Sequence, residues 1–111
     1  MAEIDDMIAF ALKALLSGSG DSRRALVRRM CERWPESPAL SVVFALTSAA
    51  AMIEDNLVGT GGMSGAGPLA YRMAALVSAD IYAVESLGKR PAKAHDLLHF
   101  WRRVDPAYLA P

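Results

Sequence analysis

A chain of 111 residues fits one domain and is long enough to bury a real core. Its hydrophobic fraction of 53% is somewhat high for a globular domain, while 22% charged residues is near average. Twelve basic residues balance twelve acidic ones, so no global field draws the protein to nucleic acid or to an anionic membrane, and neither is expected as a partner. The single Cys31 excludes an intrachain disulfide and any cysteine-based zinc cluster, and it suits a reducing compartment.

The apolar excess is mostly alanine, leucine, valine and methionine, which favour helices over strands. Punctuation divides the chain into five helical stretches. The first spans 3–16, with Glu3, Asp5 and Asp6 in its first turn, where the helix dipole favours acids. A signal peptide would carry positive charge there, so a cytoplasmic protein is expected. Ser17-Gly18-Ser19-Gly20 stops this helix. Asp21 or Ser22 caps a second, which ends at Trp34 because Pro35 follows. Ser37 caps a third helix with Pro38 in its first position, ending near Leu57. Its stretch 39–53 has no charge but falls short of the about 20 apolar residues a membrane span needs, which predicts a buried central helix. The segment 59–67 holds five glycines and is expected as a loop. Pro68 opens a fourth helix that ends at Leu87, with Gly88 just past its C-terminus. Pro91 opens a fifth, ending near Val104, and a short tail 105–111 completes the chain.

No stretch alternates with a period of two over a useful length, so no strand is expected. Short links between helices favour antiparallel neighbours. The expectation is an all-α protein: a single domain over 1–111, a five-helix bundle, mostly antiparallel, with the apolar central helix 39–57 paired with helix 68–87.

Helical projection at roughly 100° per residue predicts the buried faces. The second helix presents Leu26, Val27, Met30, Cys31 and Trp34 on one stripe, with Arg24, Arg28 and Glu32 opposite. The fifth presents Ala94, Leu97, Leu98, Trp101 and Val104, with His95, His99 and Arg102 facing away. Small residues at Ala45, Ser48, Ala49, Ala70, Ala74 and Ser78 would let helices three and four approach closely. The apolar face of helix four carries Leu69, Met73, Leu76, Val77, Val84 and Leu87, and Asp80 falls among them.

The glycine-rich loop 59–67 precedes a helix, where free amides attract anions. It follows a helix rather than a strand, however, and lacks the Gly-Lys-Ser/Thr ending of a phosphate-binding loop. A plain connection, or a lid over a pocket, fits better. Arginines 23, 24, 28, 29 and 33 make the second helix basic, but the helix after it is too apolar to read base edges. Those arginines are expected to form a solvated face. His95 and His99, four residues apart, project from one side of the fifth helix and are the candidate metal ligands, although two ligands do not close a coordination sphere. Glu54, Asp55, Asp80 and Glu85 supply carboxylates without the Glu-x-x-His pairs of a di-metal bundle, and no resident cofactor is expected. No nucleophile elbow surrounds Ser41 or Ser48, and Cys31 lies on an apolar stripe as an inert thiol. Asp80 needs a partner if it is buried, and Arg23 on the second helix is the expected one.

Five helices, one of them apolar nearly all round, carry more apolar surface than so few neighbours cover. Phe44 and Ala51 on helix three, with Tyr71 and Tyr82 on helix four, fall outside the main apolar arcs and suit an interface. The leading expectation is therefore a non-enzymatic interaction or regulatory module that forms a homodimer, with another protein as a further partner. The alternative is a small-ligand binder or enzyme whose pocket lies between the central helices, anchored by Asp80 or Glu54.

Overall fold

The computed structural model describes residues 2–17, 25–57, 66–88 and 90–104. Within them the chain forms α1 (Ala2–Leu16), α2 (Leu26–Arg33), α3 (Ala39–Leu57), α4 (Ala66–Ser86) and α5 (Ala94–Val104). The protein is an all-α bundle. Among the described residues no strand forms, and one isolated antiparallel bridge joins Pro38 to Lys93. No helix among them is long and apolar enough to cross a membrane.

The central pair is α3 with α4, the most extensive helix contact in the molecule, and α1 packs on α3 next most closely. Small side chains set this arrangement, because interaxial distance follows the residues at the contact. Ala45, Ala49 and Ala50 of α3 and Ala70 and Ala74 of α4 are all buried. Ser48 is only half-buried and Ser78 is exposed, so the close seam is narrower than the sequence spacing implies. Met7 and Leu15 of α1, Leu26 and Met30 of α2, Leu46 of α3, and Leu97 and Trp101 of α5 complete one shared core. Each such side chain contributes about 1.5–3 kcal/mol on full burial.

The helix ends show what sequence punctuation resolves and where it slips. Gly88 has φ +104° and its N–H donates to Glu85 O, as expected of a glycine just past a helix C-terminus. Helix α4 starts at Ala66, two residues before Pro68. A proline is tolerated anywhere in the first turn, whose N–H groups have no intrahelical acceptor, so Pro68 does not mark the first residue. Ala66 and Gly67 are accordingly helical rather than loop, while 58–65 lie outside the described residues, as do the expected caps Asp21 and Ser22 and the tail 105–111.

Ser37 does not use its hydroxyl to cap α3. That hydroxyl donates to the Glu3 carboxylate of α1, fastening the starts of α1 and α3 together. Helix α5 begins at Ala94 and not at Pro91. The reason is tertiary: Ala39 N–H donates to Ala92 O and Ala94 N–H to Ser37 O, which commits Ala92 and Lys93 to the bridge with the α3 entry. The first turn of α5 is then satisfied from outside, by Pro35 O on His95 N–H and by Asp96 Oδ2, 2.9 Å from the Lys93 nitrogen. Glu85 Oε2 accepts the Ala92 N–H at 3.1 Å and so ties the α4–α5 link to α4.

Candidate interaction face

The register of the central hairpin is set where α3 ends and α4 begins. Tyr71 OH donates to Glu54 Oε1 at 3.2 Å, and a Cβ at Gly67 would lie 3.2 Å from Glu54 Cγ, so the missing side chain at 67 makes room for Glu54. Partial burial, this hydrogen bond and the negative charges of Glu54 and Asp55 hold the Tyr71 hydroxyl above its ordinary pKa. From this point the two helices run apart in sequence but side by side in space. Phe44 is ten residues before Glu54 and Tyr82 eleven after Tyr71, so at 1.5 Å per residue both sit roughly 15 Å along the hairpin.

The solvent side of this hairpin is unusually uncharged. Leu40, Phe44 and Ala51 of α3 and Ala75, Ala79 and Tyr82 of α4 are exposed, with Phe44 at 55% and Tyr82 at 77% of full exposure. Three hydroxyls on these helices bond back to their own backbone: Thr47 to Val43 O and Phe44 O, Ser78 to Ala74 O, and Ser86 to Tyr82 O. A hydroxyl that donates to its own backbone is less costly to cover than one directed at water. Glu54, Asp55 and Arg72 lie toward one end of this surface. Beside Phe44, a groove of about 610 Å³ is lined by Ile4, Pro38, Leu40, Val43 and Thr47. Leu76 and Leu87, placed on the core side by projection, are instead 50% and 76% exposed. Eleven residues apart, they share one edge of α4, beside its buried stripe rather than within it.

The two expected pocket anchors do not converge. Glu54 is on the solvent face at the level of Tyr71, and Asp80 is nine residues further along α4, roughly 14 Å away along the axis. Asp80 is half-buried, and its Oδ2 accepts the indole N–H of Trp101 at 2.8 Å. The expected pairing with Arg23 lies outside the described residues. A buried Trp needs an acceptor for its single N–H, so the stripe position of Trp101 held the missed signal.

His95 and His99 are both exposed on α5. His95 lies between carboxylates, with Nδ1 3.4 Å from Asp96 Oδ1 and Nε2 4.0 Å from Glu36 Oε2, and Lys93 Nζ is 3.2 Å from the same Glu36 carboxylate. Among the described residues no group of three or more His, Cys, Asp or Glu side chains gathers to hold a metal. Cys31 is fully buried, and burial, with a smaller contribution from Glu32, pushes its thiol from 9.0 up to about 12. It is not an available nucleophile.

No family model, curated protein or solved structure matches this chain.

Proposed function

We propose that the protein is a non-enzymatic interaction module that acts as a homodimer, with the outer face of the α3–α4 hairpin as its interface. The observation that carries this reading is the uncharged exposed strip from Leu40 and Phe44 to Ala75, Ala79 and Tyr82. Apolar surface of this kind, centred on aromatics and bordered by charge at one end, has the composition of an interface core and its rim. Two copies of one face related by a two-fold axis satisfy each other without a separate partner. A reducing, cytoplasmic setting suits the lone free thiol.

Light scattering across a hundredfold dilution tests the reading. The dimer mass is expected throughout, and Phe44→Glu with Tyr82→Glu is expected to give a monomer with unchanged helical circular dichroism. Both positions are exposed, so the substitutions spare the core. A wild-type monomer at every concentration overturns the proposal.

A further inference from the structure

A second surface has a different chemistry. Between α1 and α2 runs a groove of about 560 Å³, lined by Ala9, Phe10, Ala14 and Leu26 on its apolar floor and by Lys13, Arg29 and Arg33 on its walls. That volume is in the range of small-molecule sites, which combine an apolar body with a few convergent polar groups. Asp6 also lines the groove, but it stands seven residues from Lys13 along α1, roughly 10 Å toward the other end. Three cations therefore face one carboxylate, and Lys13 with Arg29 has the end away from Asp6.

Among the described residues none of these cations is neutralised by a carboxylate, with no such group within ion-pair distance of Lys13, Arg29 or Arg33. Arg33 is held in place without an ion pair: its guanidinium carbon is 4.9 Å from the Trp34 ring centroid and 5.6 Å from that of Phe10. Those rings brace each other edge to face, 5.5 Å apart. A guanidinium fixed over aromatic rings keeps its N–H edge available for an acceptor, and less side-chain entropy is lost when one binds.

We infer that this groove is a binding site for a small organic anion with an apolar body, its charged head held by Lys13 and Arg29 and its body laid along Phe10 and Ala14. Arg33 closes the site as a stacked, pre-positioned donor. A purely inorganic anion leaves the apolar floor unused, and a neutral amphiphile leaves the cations unanswered. The ligand class is thus a medium-sized carboxylate or phosphate ester rather than phosphate itself.

The test is a titration of the full chain, followed by heteronuclear NMR, with octanoate, octanamide and inorganic phosphate as separate probes. Octanoate is expected to bind saturably with a Kd below about 1 mM, shifting Phe10 and Ala14, while octanamide and phosphate each bind at least tenfold more weakly. Arg29→Gln and Lys13→Gln are expected each to weaken octanoate about tenfold or more, while melting temperature and helical content stay unchanged. Phe44→Glu, on the separate α3 face, leaves octanoate affinity intact. No saturable octanoate binding, equal binding of octanamide or phosphate, or undiminished affinity in Arg29→Gln each overturns the inference. None of these outcomes bears on dimerisation.

Discussion

Asp80 and Trp101 show how a single pair resolves an apparent conflict in the sequence. A carboxylate amid the apolar stripe of α4 looks like a site, yet its half-buried oxygen serves the buried indole of α5. Asp80→Leu removes the acceptor that Trp101 Nε1 uses, at a cost of about 1–3 kcal/mol. At roughly 4–8 °C per kcal/mol for a domain of this size, thermal melting will resolve the loss. Asp80→Asn keeps a carbonyl acceptor and is expected to lose clearly less. Equal loss in both variants would show that charge, and not the hydrogen bond, matters at this position. Cys31 gives a second residue-scale expectation. Its thiol is held neutral in the fold up to about pH 12, whereas the unfolded thiol ionises near 9.0. The unfolded state thus gives up its proton first, and the contribution of the buried neutral thiol is full below pH 9 and fades as pH rises toward 12. Wild type is expected to lose stability over that window more steeply than Cys31→Ala in denaturant titrations, and a thiol reagent at pH 8 should label only unfolded chains. Parallel slopes, or rapid native labelling, would contradict the burial of this group.

At the scale of elements, the parts legible in the sequence were those governed by local physics. The apolar stripes of α2 and α5 follow the helical period, and Leu26, Val27, Met30, Cys31, Ala94, Leu97 and Trp101 are all buried as that period requires. Gly88 ends α4 because only a residue without Cβ enters the left-handed region cheaply. What the sequence concealed was decided by other segments. Ser37 looks like a cap, but Glu3, thirty-four residues away, claims its hydroxyl. Pro91 looks like a helix start, but the bridge between Pro38 and Lys93 delays the helix to Ala94. The α5 cap is instead Asp96, which reaches back to the Lys93 N–H from the third helical position. Asp96→Ala is expected to cost about 1 kcal/mol by chemical denaturation, near the middle of the range for lost caps. Asp96→Asn, which keeps an acceptor, should recover much of it. If Asp96→Ala is neutral, the bridge alone fixes the start of α5, and the cap is redundant.

For the whole molecule, the arrangement of the central hairpin explains why so apolar a helix as α3 fits a bundle this small. One side is packed through alanines against α4, another lies against α1, and the arc with Leu40, Phe44 and Ala51 remains open to solvent. That arc was visible in the sequence as an excess, because the number of possible neighbours was visible; the exposure of Leu76 and Leu87 was not, because it depends on which edge of α4 its neighbours cover. If the open arc is closed by a second copy, folding and association are linked by mass action, and the melting temperature must depend on concentration. For a dimer that dissociates as it unfolds, a hundredfold rise in concentration adds about 1.4 kcal/mol per chain, raising Tm by roughly 5 °C or more. Phe44→Glu with Tyr82→Glu should abolish this dependence and leave a melting temperature that is flat with concentration. The wild-type melting temperature should fall toward that value on dilution and stay above it while the dimer persists. A wild-type melting temperature that does not move across the series means that the folded chain gains nothing from its own concentration, and the α3–α4 face then has no self-association to support.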